Sequence, residues 1–220
     1  MGINERLIEA YAEALSPAVL RQFEGKDDDL AGIFLPSAPE ERMPLMIVGM
    51  ETRKWNGHFR AVRNGEIRNY IESSMSLHRK YLTLPTKRSS FGRFHLHAAS
   101  TLGYERGQIG WGNLLAVSYR KTSPVRSAAF APILELSGVL LRKQLEIIKP
   151  EAVIFVCGWR YDSYLKQSLG GLITDSNVMT PKSLWEFKVG ESTCFRTSHP
   201  RYVAGRKYRD RALRLIQESA

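Results

Sequence analysis

Three polar side chains stand at the ends of apolar segments in this chain, where they could do chemistry together. Glu51 follows the apolar run "PLMIVGM", Asn113 stands at the start of "GNLLAVSY", and His199 ends the segment "STCFRTSH". In a parallel α/β sheet, ligands bind outside the carboxyl ends of the strands. An acid, an amide and a histidine on neighbouring strands could activate water, read a polar ring and stabilise an anion.

Each of these residues also has a purely structural explanation. Glu51 could be an acid near the start of a helix, where the helix dipole favours negative charge. Asn113 could satisfy a backbone group at a strand edge, and His199, which precedes a proline, could be a turn residue. Gly158, which ends a third apolar run, could only allow the chain to pass closely from strand to helix. The residue types alone leave both interpretations open.

The elements that would position these residues follow from the hydrophobic pattern. Three nearly continuous apolar runs and one more polar run predict strands at residues 44–50, 112–119, 151–158 and 192–199. Continuous apolar runs are typical of parallel strands that are covered on both faces. Helical periodicity occupies residues 5–23, 66–82, 132–149 and 206–218. The segment 83–110 has little periodicity and is expected to form a long surface loop or a helix-plus-loop insertion.

Strands that alternate with helices of this length predict an α/β fold. We expect a single three-layer domain with a central, mainly parallel four-stranded sheet flanked by helices. A chain of 220 residues that is 43% hydrophobic can bury one substantial core, and no repeat or linker divides it. The expected domain is residues 1–220, with residues 1–43 as an N-terminal helical extension packed on it.

The charge of the chain favours a polyanionic partner. Lys and Arg number 32 against 22 Asp and Glu, a formal net charge of +10. Such an excess points to nucleic acid first and acidic membrane surfaces second. An ordinary enzyme with a solvated basic face explains the charge equally well.

Cysteine and histidine usage argues against a metal site or a disulfide framework. Cys157 and Cys194 are far apart, each in an apolar or β-like segment, so they are expected to be buried free thiols. The only histidines at close spacing, His95 and His97, lack a nearby cysteine or acid.

The chain carries no signal-peptide pattern and no apolar run long enough to span a bilayer. We therefore expect a cytoplasmic monomer without metal, cofactor or membrane partner.

The order of four motifs resembles the uracil-DNA glycosylase superfamily. The motifs are the strand exit "IVGMET", the strand "WGNLLAV", the helix-to-strand junction "IKPEAVIFVCG" and the segment "SHPRYVAGRKYRDRA". They span roughly residues 44–215 in the family's order. The resemblance implies a uracil-DNA glycosylase-like fold and a DNA glycosylase that needs no cofactor and acts on double- or single-stranded DNA.

The resemblance also implies catalytic roles. Glu51 stands where the family places the acid that positions the attacking water, and Asn113 stands where the base-reading amide is found. His199 would donate to the 2-oxo group of the leaving base as negative charge builds there. A donor preorganised in this way is typically worth ~3 kcal/mol.

Substrate and DNA contacts follow from the same comparison. The residues implied to line the base pocket are Gly49, Met50, Thr52, Arg53, Trp55 and Gly158. Those implied to contact the DNA are Arg201, Tyr202, Arg206 and Lys207, with Arg209 and Arg211 as further phosphate contacts and Tyr202 or Val203 as the wedge. An ordinary solvated helix start is the alternative for these basic residues. The aromatic that stacks on the base could be Trp55, Phe59 or Phe91, whereas Trp111 is expected in the core.

The first motif departs from the best-known branch, in which proline and tyrosine follow the acid and the tyrosine excludes thymine. Here Thr52 and Arg53 take those places. The difference suggests a pocket that tolerates a bulky polar substituent at position 5 of a pyrimidine, contacted by Arg53 or Lys54. Some relatives excise such bases in antiphage defence, so repair and defence both stay open.

Two other functions compete with this hypothesis. The first is a non-catalytic DNA-binding relative that senses a modified base without cutting. The second is an α/β hydrolase or nucleotide-binding enzyme, but the chain lacks G-x-S-x-G, a Walker A loop and G-x-G-x-x-G. The second alternative is therefore the weaker one.

Overall fold

The computed structural model describes residues 1–39, 42–83 and 89–219. The strands in these ranges are β1 Leu45–Gly49, β2 Gly110–Asn113, β3 Ala152–Phe155, β4 Ile173–Thr180, β5 Leu184–Val189 and β6 Ser192–Arg196. The α-helices are α1 Ile3–Ala14, α2 Pro17–Arg21, α3 Phe59–Asn64, α4 Ile67–Thr83, α5 Ser90–Thr101, α6 Phe130–Ile148, α7 Asp162–Leu169 and α8 Arg206–Ser219.

The strands form one mixed sheet in the order β2-β1-β3-β6-β5-β4. The pairs β1–β2, β1–β3 and β3–β6 are parallel, whereas β6–β5 and β5–β4 are antiparallel. The antiparallel strands extend the sheet at one side as a hairpin, with its turn at residues 181–183. The parallel part supplies the edge where the predicted site residues lie.

Both faces of the parallel strands are covered, which gives the domain three layers. In β1, Leu45 and Ile47 belong to a core cluster that includes residues of α5 and α8. Met46 and Val48 belong to the other cluster, which includes residues of α1, α4, α6 and α7. Because successive strand residues point to opposite faces, an unbroken apolar run is what a strand between two helical layers requires.

The N-terminal residues pack on the sheet domain through α1, which contacts α6 and α4. Leu7 and Tyr11 are fully buried in the larger core cluster. The Tyr11 hydroxyl donates to the Pro36 carbonyl at 2.8 Å, so its polar end is satisfied within the core. At the far end of α6, Lys149 adopts a left-handed conformation and Pro150 follows, which stops the helix before β3.

The α/β class is as predicted, but the sheet has six strands where the sequence predicted four. The hairpin of β4 and β5 was missed, because its exposed, polar β4 has no apolar run to reveal it. The second strand ends at Asn113 rather than beginning there, and the predicted helix at residues 5–23 is two helices, α1 and α2. The predicted insertion at residues 83–110 contains α5.

Residues 40, 41, 84–88 and 220, which the predicted domain and the predicted insertion include, lie outside the described residues. Within the described ranges, none of the helices combines the length and apolar character that crossing a membrane requires. Cys157 and Cys194 are buried and free, as the sequence predicted.

Candidate active site

The carboxyl ends of β1, β2, β3 and β6 meet at one edge of the sheet, because these strands are parallel. Gly49 pairs directly with Asn113 at the ends of β1 and β2. Gly158 donates its backbone N–H to the Thr197 carbonyl at 3.0 Å, which joins the segments that follow β3 and β6. The carboxyl ends of these four strands, including the end of β2 at Asn113, are therefore neighbours in the fold.

A cleft of about 760 Å³ opens at this edge. Its walls come from four places: Met50 after β1, the segment 157–161 after β3, the β4–β5 turn, and the segment after β6. Of the residues predicted for the site, those that line this cleft are Met50, Gly158, His199, Arg201 and Tyr202. We refer to this space as the cleft.

Glu51 lies beside the cleft rather than in its wall. Its side chain is partly buried, and no described group hydrogen-bonds to its buried Oε2 atom. Burial raises the pKa of the Glu51 carboxyl, and the charges of Arg53 and Arg201 oppose that rise. A buried carboxylate oxygen without a partner is costly to a fold, and such groups gather at functional sites. Glu51 is thus an acceptor that a water or ligand could use.

His199 has one ring nitrogen fixed by its own loop. The backbone N–H of Arg201 donates to His199 Nδ1 at 3.1 Å. Burial, followed by the charges of Arg201, Arg209 and Arg53, lowers the pKa of His199 to about 4. A neutral ring whose Nδ1 accepts must carry its proton on Nε2. At neutral pH, His199 therefore offers an Nε2–H donor.

Arg209 holds the segment that carries His199. Only 5% of its surface is exposed. Its Nη1 atom donates to the Ser198 Oγ at 3.0 Å and to the carbonyls of Ser198, His199 and Tyr202 at 3.3 Å. The sequence placed Arg209 among the phosphate contacts, but its guanidinium is occupied by these backbone groups. In the sequence, nothing distinguishes Arg209 from the other basic residues around it, so its role in holding the loop could not be predicted.

Gly205 makes the close approach of this segment possible. A Cβ atom at position 205 would lie 1.7 Å from Ser198 Oγ and 3.0 Å from Arg209 Nη1. Any side chain here would push the start of α8 away from the loop that Arg209 clamps. The sequence singled out the basic residues of this stretch and not its glycine.

Asn113 is buried at the end of β2 and engaged with Thr52. Its side-chain amide lies against the Thr52 hydroxyl. In the amide orientation that suits its neighbours, the oxygen accepts from the Thr52 backbone N–H at 3.3 Å, and the NH₂ donates to the Gly112 carbonyl at 2.9 Å. Asn113 thus ties β2 to the chain just beyond Glu51, and part of its hydrogen-bonding capacity is used within the protein.

Gly49 lets Asn113 and an aromatic ring approach the end of β1. A Cβ atom here would lie 2.8 Å from the Asn113 side-chain amide and 3.2 Å from the Phe91 ring. Among the three candidate stacking aromatics, Phe91 is half-buried beside this strand end, whereas Trp55 and Phe59 are buried. Phe91 is accordingly the candidate that the fold brings to the predicted base-reading amide.

Trp55 and Arg53 are close in sequence but have different surroundings in the fold: Trp55 is buried and Arg53 is exposed. Trp55 is 3% exposed, its indole N–H donates to Ser74 Oγ at 2.7 Å, and it packs with Phe34 and Trp111. It therefore stands in the core behind the site and does not line the cleft. Arg53 is exposed, and its charge acts on both Glu51 and His199.

Of the predicted DNA contacts, some lie at the cleft and others do not. Arg201 and Tyr202 are exposed at the cleft, and Val203 beside them is 83% exposed. Arg206 and Lys207 are exposed on the first turn of α8 but do not line the cleft. They extend the basic surface away from its mouth.

The cleft also has a wall that the sequence did not assign to the site. Gly158 has φ +82°, a left-handed conformation that favours glycine, and it turns the chain so that Trp159 and Arg160 enter the cleft wall. Lys182, in the β4–β5 turn, lines the cleft as well. The position of Trp159 and Arg160 after a strand end was the available signal; Lys182 had none, since its hairpin was not predicted.

The arrangement can do two things chemically. A carboxylate with a free acceptor oxygen can orient a water, and a neutral imidazole N–H can stabilise a developing anion. Arg53, Arg160, Lys182 and Arg201 give the surroundings a positive potential that suits a polyanion. Within residues 1–39, 42–83 and 89–219, no three His, Cys, Asp or Glu side chains form a group that could hold a metal ion.

Comparison with protein-family models and with curated proteins adds no relative to this picture. No protein-family model matches the chain. No curated protein matches it either. The case for any function therefore rests on the motifs, the fold and the geometry of the cleft.

Proposed function

We propose that the protein is a DNA glycosylase that hydrolyses the N-glycosidic bond of a flipped-out uracil or position-5-substituted pyrimidine and leaves an abasic site. One observation carries the proposal. A partly buried carboxylate with a free oxygen, Glu51, lies beside a basic cleft whose wall contains a neutral histidine donor, His199. The parallel pairing of β1, β2, β3 and β6 supports it, since it brings parts of all four motifs to the same edge of the sheet.

The reaction divides between these two residues. As the bond between the sugar C1′ and the base nitrogen breaks, its electron pair leaves with the base and the sugar becomes oxocarbenium-like. Glu51 orients a water for attack on C1′ and accepts its proton as the new C–O bond forms. His199 donates its Nε2–H to an oxygen of the leaving base, where negative charge accumulates. The proton on Glu51 is then available to neutralise the base.

The surface around the cleft suits a DNA strand. The base must leave the stack before it can reach Glu51, at a cost of a few kcal/mol. Tyr202 and Val203, 53% and 83% exposed, are placed to fill the gap that the flipped base leaves. Arg201, with Arg206 and Lys207 farther along, supplies phosphate contacts.

The substrate proposal rests on Arg53. Its guanidinium is close enough to influence both Glu51 and His199, so it borders the place where the reacting base would sit. A basic group there favours a polar substituent at position 5 over the bare ring of uracil. Excision of such a base would serve antiphage defence, whereas excision of uracil would serve repair.

The experiment is an abasic-site assay on DNA that contains uracil, hydroxymethylcytosine or glucosylated hydroxymethylcytosine, scored by alkaline cleavage. Glu51→Gln and His199→Ala are expected to reduce the rate by a factor of about 100 or more each. The exposed residues Glu24 and His58 supply the matched controls Glu24→Gln and His58→Ala. Excision of uracil alone would refute the position-5 proposal, and absence of cleavage on every substrate would refute the glycosylase.

The second candidate is a non-catalytic DNA-binding relative. One observation favours it: the Asn113 amide has partners within the protein, in Thr52 and Gly112, and is less free to read a base than a catalytic pocket would require. In that case the wild-type protein would bind modified DNA without forming abasic sites. Glu51→Gln would then leave its DNA affinity unchanged.

A further inference from the structure

One wall of the cleft carries an exposed aromatic ring with two cations close to it. Trp159 is 45% exposed. Lys182 Nζ lies 5.1 Å from the centroid of its indole, and the Arg160 guanidinium carbon lies 5.6 Å from it. In the described part of the chain, neither cation forms a salt bridge with a carboxylate. None of these three residues takes part in the reaction proposed for Glu51 and His199.

A buried arginine holds the two halves of this wall together. Arg196, at the end of β6, is 3% exposed and pairs with Asp162 through Nε to Oδ1 at 2.7 Å and Nη2 to Oδ2 at 2.8 Å. Its Nη1 donates to the Lys182 carbonyl at 3.2 Å. Asp162 begins α7 directly after the segment of Trp159. One guanidinium therefore ties the turn that carries Lys182 to the start of α7, which follows the Trp159 segment.

We propose that Trp159, Lys182 and Arg160 form a second nucleotide site, which binds an unpaired nucleotide next to the target. The base stacks on the indole, and its phosphate contacts the two cations. This inference rests on the proposed function, because it places the second nucleotide in the same cleft. The volume of about 760 Å³ gives room for more than a single pyrimidine ring.

The chemistry of the site selects single-stranded DNA. Stacking of a base on an exposed aromatic outweighs an exposed cation–π contact, so an incoming base displaces the cations toward its own phosphate. In a duplex, the neighbouring base is already stacked and paired, and it cannot lie on the indole without a further unstacking cost. The site should therefore bind an unpaired strand more tightly than a duplex.

The test measures the affinity of the intact protein for a fluorescein-labelled oligodeoxyadenylate, single-stranded or annealed to its complement, by fluorescence anisotropy. Trp159→Ala is expected to weaken single-strand binding about tenfold and duplex binding less than twofold. Trp159→Phe should retain most of the affinity. Tyr104→Ala is the matched control, since Tyr104 is 37% exposed and has no cation over its ring among the described contacts.

The lysine is tested by salt dependence. Lys182→Ser is expected to make the negative slope of log affinity against log salt less steep, by about 0.7 for the single strand. Lys26→Ser removes an equal charge from an exposed position near the N-terminus and serves as the control. Melting curves recorded for each variant separate a lost contact from a lost fold.

Each result bears on one proposal or the other. If Trp159→Ala and Tyr104→Ala weaken single-strand binding equally, the second nucleotide site is wrong. If Trp159→Ala weakens single-strand binding and Tyr104→Ala does not, while the wild type forms no abasic sites, the second nucleotide site is supported and the glycosylase proposal is wrong. The adenine strand contains no excisable pyrimidine, so its binding does not depend on catalysis.

Discussion

Gly205→Ala should displace the segment that carries His199 without removing any of the proposed catalytic side chains. The added Cβ would lie 1.7 Å from Ser198 Oγ, far inside the distance that real atoms tolerate, and 2.9 Å from Ser198 Cβ, just inside it. Because the second contact involves Cβ, rotation of the serine hydroxyl alone cannot relieve the overlap. The segment that carries His199 must move away from the start of α8, and the Arg209 hydrogen bonds to that segment must lengthen.

The expected loss of stability follows from this geometry. Forcing an extra carbon into a packed region costs about 1–3 kcal/mol. The helix-favouring effect of alanine, at most about 1 kcal/mol in a helix interior, is smaller because Gly205 precedes α8. For a chain of 220 residues, each kcal/mol shifts the melting temperature by about 2–4 °C. A net loss of about 2 kcal/mol therefore lowers the melting temperature by about 4–8 °C.

Calorimetry of Gly205→Ala measures the loss, and Gly171→Ala provides the control because a Cβ there meets nothing within 4 Å. Adding Ser198→Gly to Gly205→Ala removes the atoms in conflict and should restore part of the lost stability. Strictly additive effects, or an unchanged melting temperature in Gly205→Ala, would refute the reasoning. Catalysis and DNA binding should fall together with the displacement of the loop.

Other predictions concern burial and titration. Thr52→Val leaves the buried Asn113 amide without its hydroxyl partner and should cost about 1–3 kcal/mol in urea unfolding, whereas Thr52→Ser should be close to neutral. The folded pKa of His199, about 4, lies below its ordinary 6.5, so the unfolded chain takes up the proton first. Stability should therefore fall as the pH drops from about 6.5 toward 4, and His199→Asn should flatten that part of the curve. Burial raises the pKa of the Cys157 and Cys194 thiols to about 12, and Cys194, which is fully buried, should not react with a thiol reagent until the chain unfolds.

The α/β class and the parallel strands were predictable because they depend on local pattern. An apolar run such as residues 44–50 needs two covering layers, and helical periodicity such as that of residues 132–149 supplies them. The rule that ligands bind at strand ends then brought Gly49 and His199 to one edge. The bounds of β2 could not be read in the same way: the strand was placed too late in the sequence, so Asn113 was put at its start rather than at its end.

The hairpin of β4 and β5 could not be predicted from pattern. β4 lies at the edge of the sheet with most of its side chains exposed, so it lacks the hydrophobic alternation that marks a half-buried strand. Its pairing depends on β5 and β6, which are antiparallel neighbours in the assembled sheet. The cleft wall at Lys182 was missed for the same reason.

By itself, the sequence determined the fold class and the buried thiols, because burial and periodicity are properties of short segments. Only the tertiary structure decided which polar groups are free and which are occupied. Arg209 and Trp55 looked like ligand contacts in the sequence, yet the first clamps a loop and the second is bonded to Ser74 in the core. Glu51 kept an oxygen without a partner. Hydrogen-bond partners come from segments far apart in the chain, so no local pattern of residues can reveal them.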